Sequence, residues 1–244
     1  MKVLPKVPVL SPQRLRRRHK PPVRPYSYYR DCLAWEFGFF CSFCNLHEAD
    51  FNEHGFAGTR TMWIEHYQLQ SDRPGEKNAY ANCFYSCHYC NHDRRSLPAR
   101  RKDRAKLLNP CQVAWADHFT VEGPKLLPKT PSAEYTEQAY NLNDPRKIQM
   151  RENRQEALDD AWAVWDEIGP VRNRILDHLQ RLAPTPDNAA LLTELENSDR
   201  PLRLAVAQLR RFAAIPQWAS HQVCGCSEPC VIPAYLEPHL REWA

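Results

Sequence analysis

The sequence predicts an α+β protein in which a small cysteine-bearing core is followed by a mainly α-helical C-terminal half. Two Cys-x-x-Cys pairs, Cys41/Cys44 and Cys87/Cys90, flank short segments rich in β-branched and aromatic residues, the pattern of a small β core held by a metal. From residue 146 onward, apolar residues recur every three or four positions, which is the period of packed helices. The 21 prolines favour many short elements, and no glycine-rich phosphate-binding loop occurs.

Four thiolates in two such pairs suit a tetrahedral structural zinc site with no open position. The 10 cysteines would also fit a secreted disulfide scaffold. However, Pro5 and Pro8 interrupt the first ten residues, so no signal peptide is visible, and no apolar run approaches membrane-spanning length. We therefore expect a cytoplasmic protein, not associated with membranes, in which these four cysteines hold Zn²⁺.

An acid–histidine pair and two asparagines accompany the cysteines. Glu65 and His66 end the first predicted strand, Asn82 precedes the second, and Asn91 directly follows Cys90. Imidazole titrates near neutral pH and suits a general base. Carboxylate and amide oxygens are the ligands preferred by Mg²⁺ or Mn²⁺. Phosphodiester hydrolysis needs both a base and a divalent cation, because water must be activated and negative charge must be offset.

This arrangement resembles the HNH endonuclease family, in the zinc-stapled form of its ββα-metal site that carries two Cys-x-x-Cys pairs. The resemblance implies that His66 activates water, that Glu65 and Asn91 hold Mg²⁺ or Mn²⁺, and that Asn82 holds the loop around the base. Cleavage would leave a 5′-phosphate. The alternative interpretation is a bare zinc ribbon with an incidental Glu-His pair, a zinc-bound nucleic-acid-binding module without catalytic activity.

The sequence departs from that family at three places. The acid is Glu65, where Asp is commoner, and the third position is Asn91 rather than His. Residues 67–71 read Tyr-Gln-Leu-Gln-Ser, where relatives often carry Arg-Pro-Lys-Ser. The last change removes two positive charges near the substrate but leaves the base and the metal ligands in place.

A looser similarity, over roughly residues 26–150, is to HNH nucleases of prokaryotic anti-phage modules such as Septu-type and retron-associated systems. It depends on the runs Asn109-Pro110-Cys111, His118-Phe119 and Asn141-Leu142-Asn143. This similarity implies an effector nuclease, with an ATPase partner that would dock on the helical half.

Positive charge is concentrated in the half of the chain that carries these motifs. Residues 1–110 contain 19 Lys/Arg and 10 Asp/Glu, a net charge of +9, whereas residues 111–244 contain 14 and 19, a net charge of −5. The basic half is therefore the expected surface for nucleic acid, with DNA as the expected substrate. The phosphate contacts are expected from a basic strip after Asn91: Arg94, Arg95, Arg100, Arg101 and Lys102.

Four regions follow from these patterns. Residues 1–24 are expected to form a basic, proline-rich arm, either a solvated tail or a phosphate-binding arm. Residues 25–110 are expected to form the zinc-stapled nuclease core, and residues 111–145 a wrapping segment with a hairpin and a helix. Residues 146–244 are expected to form a helical bundle with a cysteine-rich tail. The tail residues His221, Cys224, Cys226 and Cys230 could bind a second zinc or could be small buried side chains.

Local patterns predict the individual elements. Ser27 is expected to cap a helix from about Tyr28 to Phe37, with Arg30 and Glu36 facing solvent. Strands are expected at Thr61–Glu65 and Cys83–Ser86, a helix from Asn91 to near Pro98, a hairpin pairing Phe119–Val121 with Lys125–Leu127, and a helix from Thr130-Pro131 to Tyr140. Beyond residue 146, one helix is expected to stop at Gly169-Pro170 and further helices to follow.

Overall fold

In a computed structural model of the chain, the described residues are 15, 17, 19–54, 61–101, 105–179, 181, 190, 191, 193, 195, 199–205, 207 and 208. They form a mixed α/β architecture with two small antiparallel sheets, helices and a cysteine cluster. By contacts they divide into two compact units, one ending at Glu152 and the other beginning at Asn153. Within this part of the chain, no helix is long and apolar enough to cross a membrane.

Several sequence predictions lie outside the described residues. These are the tail residues His221, Cys224, Cys226 and Cys230, the strip residue Lys102, and the arm residues 1–14, 16 and 18.

Helix α1 (Arg30–Glu36) follows a 3₁₀ turn at Tyr26–Tyr29, and no side chain caps either element. The prediction that Arg30 and Glu36 face solvent is wrong. The Glu36 side chain is fully buried and accepts hydrogen bonds from Arg17 Nη1 at 3.2 Å and from the Tyr80 hydroxyl at 2.9 Å. Arg30 pairs with Glu48 at 2.9 Å.

The described part of the predicted arm packs on the core. The Arg17 guanidinium lies 4.4 Å from the ring centre of Phe84 and also contacts the rings of Phe37 and Tyr80. The backbone N–H of His19 donates to Glu36 at 3.0 Å. Because Arg17 already has an anionic partner and three aromatic neighbours, it contributes to packing rather than to a free basic surface.

The central sheet pairs β1 (Met62–His66) with β2 (Cys83–Cys87), in a register that sets His66 opposite Cys83. Helix α2 (His88–Arg94) follows β2 directly. The predicted start of this helix at Asn91 and its end near Pro98 are both wrong. The Cys87 sulfur accepts a hydrogen bond from Cys90 N and caps the helix, and Arg95 ends it with φ +46°, outside the right-handed helical region.

The predicted hairpin and the helix after it are confirmed. Strands β3 (Phe119–Glu122) and β4 (Lys125–Pro128) pair in an antiparallel register around Gly123, whose φ of +55° favours glycine. Helix α3 (Pro131–Tyr140) is capped by Thr130, whose hydroxyl accepts from Ala133 N at 3.2 Å. The Tyr140 ring stacks on Phe43 at 4.1 Å, which joins α3 to the segment between the first two cysteines.

Helix α4 (Pro145–Leu179) corrects the prediction of a stop at Gly169-Pro170. Pro170 lies inside the helix, where it removes one backbone hydrogen bond without ending the element. Buried apolar side chains precede the proline, including Leu158 and Ala161. In the second unit, Arg172 forms an ion pair with Asp199 of the helical residues that follow.

Candidate functional site

The two Cys-x-x-Cys pairs meet in one buried cluster. The sulfur atoms of Cys41, Cys44, Cys87 and Cys90 all lie within 4.8 Å of one another, and all four residues are buried. None of these cysteines forms a disulfide. Cys41 and Cys44 come from the turn after α1, whereas Cys87 ends β2 and Cys90 lies in the first turn of α2. The arrangement is therefore that of a closed structural metal site.

The electrostatics of the cluster also call for a cation. Burial raises the pKa of the Cys41 thiol, but hydrogen bonds from the other three cysteines outweigh it and bring this pKa well below its ordinary value. Burial raises the pKa of Cys87 and Cys90 well above theirs. Burial thus opposes ionisation of the cluster, and a cation nearby would offset that cost.

Sequence reasoning missed a cation beside this cluster, Lys147 of α4. Its fully buried ammonium donates to Asp93 Oδ2 at 2.9 Å, to Asn141 O at 3.1 Å and to Tyr140 O. Burial lowers the pKa of Lys147, but the electrostatic attraction of the cysteine cluster and the Asp93 bond more than compensate and raise it. Lys147 therefore joins α2 to the end of α3 beside the cysteine cluster.

Arg151, one helical turn later, was missed as well. It is buried and donates to three carbonyl oxygens, those of Pro124 at 2.7 Å, Cys44 at 3.2 Å and Leu142 at 2.9 Å. A signal was present in the sequence, because Lys147, Met150, Arg151 and Arg154 share the i, i+3, i+4, i+7 spacing of one helix face, and all four are buried. Because three of these four residues are charged, the pattern does not read as a buried helix face.

A separate cleft of about 590 Å³ opens beside the ends of β1 and α2. Its lining includes Tyr26, Trp63, Glu65, His66, Asn91 and Arg95. The structure thus brings together the three residues predicted as base and metal ligands. Asn82, the fourth residue of that set, is not among the lining residues.

The geometry around His66 determines which ring nitrogen is basic. Nε2 lies 2.9 Å from the backbone oxygen of Lys77, and Nδ1 lies 3.1 Å from the amide nitrogen of Gln70. A carbonyl oxygen can only accept, so Nε2 carries the hydrogen and Nδ1 holds the lone pair. Burial lowers the pKa of His66 below its ordinary value, which keeps the ring neutral and able to accept a proton.

Cys83 lies opposite His66 in the sheet, with its sulfur 3.9 Å from Nε2. Burial raises the pKa of this thiol to about 12. The pair is therefore not an activated cysteine nucleophile, because the thiol stays protonated.

Glu65 divides its two carboxylate oxygens between partners on α2. Oε1 accepts from the Arg94 guanidinium, and Oε2 lies 2.8 Å from the side-chain amide nitrogen of Asn91. Burial raises the pKa of Glu65 to about 7, because its ion pair and hydrogen bonds offset only part of the cost of leaving water.

Asn82 holds the chain that follows His66. Its side-chain oxygen accepts from Gln68 N at 2.7 Å, and its amide donates to Gln68 O at 3.0 Å. The backbone oxygen of Asn82 also accepts from Tyr67 N at 2.9 Å. This double contact fixes the direction in which the loop leaves β1.

Only part of the predicted basic strip is exposed to solvent. Arg94 was predicted to contact phosphates, and this is wrong, because its side chain is fully buried in an ion pair with Glu65. Arg95, Arg100 and Arg101 are exposed. Of these, Arg95 lines the cleft, whereas the Arg101 guanidinium lies over the ring of Tyr135.

No protein-family model, no curated protein and no solved structure matches the chain. The assignment of this site therefore depends on its own geometry and chemistry.

Proposed function

We propose that the protein is a metal-dependent endonuclease of the HNH type, built on a ββα-metal core, that hydrolyses phosphodiester bonds of nucleic acid, with DNA as the expected substrate. The observation that carries the proposal is the meeting of His66, Glu65 and Asn91 in one cleft, where a β1–β2–α2 unit supplies all three. A neutral imidazole, a carboxylate and an amide are together a base and two hard oxygen ligands.

His66 acts in this proposal as the general base. Its Nδ1 takes a proton from the attacking water once water replaces the Gln70 amide, which lies 3.1 Å away, while the Lys77 carbonyl keeps Nε2 protonated and the ring fixed. The Tyr26 ring packs edge-on against the imidazole at 4.7 Å and restricts its rotation.

Glu65 and Asn91 bring a carboxylate and a side-chain amide next to each other, where both could be ligands of one hard divalent cation. Two adjacent oxygen ligands of octahedral Mg²⁺, bound at about 2.1 Å, lie about 3 Å apart. Oε2 of Glu65 and the amide nitrogen of Asn91 are 2.8 Å apart. Turning the amide over would present its oxygen instead. When bound, Mg²⁺ or Mn²⁺ supplies positive charge at the scissile phosphate.

The cysteine cluster is assigned to a structural zinc. Sulfur atoms around a tetrahedral zinc, bound at about 2.3 Å, lie about 3.8 Å apart. The sulfurs of Cys44 and Cys87 are 3.5 Å apart, and four thiolates leave no position for substrate. Zinc would thus hold the first cysteine pair to β2 and α2 without taking part in the reaction.

One observation favours a second function, that of a zinc-bound nucleic-acid-binding module without catalysis. The Arg94 ion pair and the Asn91 amide engage both oxygens of Glu65, and the Gln70 amide covers Nδ1 of His66. A purely structural Glu-His pair would have such partners.

Plasmid nicking with and without Mg²⁺ separates the two functions. We expect the parent protein to nick DNA only with the metal, and His66→Ala to lose activity by about 10²–10⁴-fold while retaining its zinc. His92→Ala is the matched control, because His92 is an exposed histidine of α2 that does not line the cleft. Equal cleavage by the parent and His66→Ala would refute the base assignment, and no cleavage by the parent would favour the binding module.

The effector role in an anti-phage module, with an ATPase partner on the helical half, extends this proposal. It rests on the looser sequence similarity over residues 26–150. Co-purification of an ATPase encoded beside the gene, lost when residues 153–214 are deleted, would support it.

A further inference from the structure

Arg94 was expected on a basic surface, but it forms several hydrogen bonds inside the protein. Its side chain is fully buried at the end of α2, and two of the residues that accept its hydrogen bonds, Glu65 and His66, line the cleft. Nη1 donates to Glu65 Oε1 and to the His66 backbone oxygen, Nη2 to the Tyr67 backbone oxygen, and Nε to Leu97 O at 3.2 Å. A planar guanidinium can serve such a set at once, because its donors diverge in one plane.

These contacts divide the Glu65 carboxylate into two different oxygens. Arg94 engages Oε1 on the buried side, and Oε2 is left beside Asn91, which lines the cleft. Asn91 and Arg94 are three residues apart in α2, so they lie on one face of the helix. The same helix face therefore carries the amide that neighbours Oε2 and the cation that fixes Oε1.

The two backbone bonds act on the base. By holding the carbonyls of His66 and Tyr67, Arg94 fixes the peptide that carries the imidazole out of β1. Asn82 holds the next residue, Gln68, from the other side of the loop. Residues 66–68 are thus held by Arg94 at one end and by Asn82 at the other, which fixes the backbone that carries the His66 side chain.

We propose that Arg94 is a positioning residue that makes Glu65 a one-oxygen ligand, by retaining Oε1 while Oε2 and Asn91 face the divalent cation. This inference rests on the proposed function, because it concerns the same metal site. It accounts for the ion pair that otherwise favours a non-catalytic role, since the pair occupies only one of the two oxygens.

Titration of Mn²⁺ into the zinc-loaded full-length protein tests the inference without a cleavage assay. Arg94→Lys keeps the charge but replaces the planar fork by a single ammonium, so we expect about tenfold weaker Mn²⁺ binding, as for other residues that orient metal ligands. Arg73→Lys, at an exposed arginine that does not line the cleft, is the control and should bind as the parent does. In a Glu65→Gln background, Arg94→Lys should have little further effect. Parental affinity in folded Arg94→Lys would overturn the inference.

A measurement on the parent protein decides the matter even if Arg94→Lys does not fold. The Arg94 guanidinium protons, buried and hydrogen-bonded, should give slowly exchanging ¹⁵N-correlated signals. On addition of Mg²⁺ we expect these signals to shift and to remain protected from exchange, because Oε1 stays on Arg94. Loss of protection would mean that the metal displaces Arg94, which overturns the inference but leaves the metal site. No shift at saturating Mg²⁺ would refute the metal site of the proposed function, and the inference with it.

Discussion

Lys147→Met is the substitution that most directly tests how the cysteine cluster is held. The side chain is fully buried, and its ammonium joins Asp93 of α2 to two carbonyl oxygens at the end of α3. Methionine fills a similar volume, so the change removes the charge and its hydrogen bonds while leaving little cavity.

The expected magnitude follows from the burial of the partners. Removing one partner of a buried ion pair typically costs about 3–5 kcal/mol. The Asp93 side chain is 18% exposed, so water can partly solvate the carboxylate left behind. We therefore expect a loss near the lower limit, about 3 kcal/mol in the free energy of unfolding of the zinc-loaded protein. Zinc affinity should fall by about 10–100-fold, as for other residues next to metal ligands.

Urea unfolding of the zinc-loaded protein and competition with a zinc chelator measure the two effects. Arg73→Met is the control, because the ion pair of Arg73 with Glu76 is exposed at both ends, with the two side chains 61% and 39% exposed. An exposed ion pair contributes about 0–1 kcal/mol, so the control should stay close to the parent. If Lys147→Met unfolds with the same free energy as Arg73→Met, Lys147 does not hold the cluster.

Three further changes test other parts of the structure. Cys90→Ser should unfold at lower temperature and respond no further to chelator, because structural zinc binding contributes directly to folding; an unchanged melting curve would contradict a shared metal. Elemental analysis of the parent should give one zinc per chain if the tail binds none, and two if it does. Arg17→Met should lower the free energy of unfolding in urea by about 2–3 kcal/mol, since it leaves the buried Glu36 carboxylate without its cation; an unaltered midpoint would show that this contact does not contribute. In a cleavage-deficient background, Arg95→Gln should reduce the slope of log affinity against log salt by about 0.7–0.9, whereas exposed Lys125→Gln should leave it unchanged; equal slopes in the two variants would remove Arg95 from the nucleic-acid surface.

The elements that the sequence predicts well are those with strict local chemistry. Two Cys-x-x-Cys pairs specify a common ligand geometry, and the four sulfurs do meet. The Thr130-Pro131 start of α3 was equally predictable, because a hydroxyl cap followed by proline has one conventional use. The meeting of Glu65, His66 and Asn91 was implied by the resemblance to the HNH family, although the helix that carries Asn91 begins three residues earlier than expected.

The buried charges could not be assigned in the same way. The sequence does not distinguish the buried Arg94, Lys147 and Arg151 from surface residues, because composition reports the sign of a charge and not its environment. The same holds for Arg17, whose side chain is 19% exposed. Each is stabilised by acceptors distant in sequence, such as the Cys44 carbonyl for Arg151, 107 residues away. Helical spacing was the available signal for Arg94, since it lies one turn after Asn91. For Arg17, which precedes the first helix, local periodicity gives no signal.

Helix α2 connects the cysteine cluster to the cleft. In seven residues it carries Cys90, which completes the cysteine cluster, Asn91, which lines the cleft, and Arg94, which holds Glu65. A helix of two turns has little stability by itself, because few backbone hydrogen bonds offset the entropy of nucleation. Its start is fixed by Cys87 and its side by Lys147 through Asp93. Whatever holds the cysteines together therefore also holds Asn91 and Arg94 against β1, so the structural site determines the geometry of the candidate catalytic one without contributing a ligand to it.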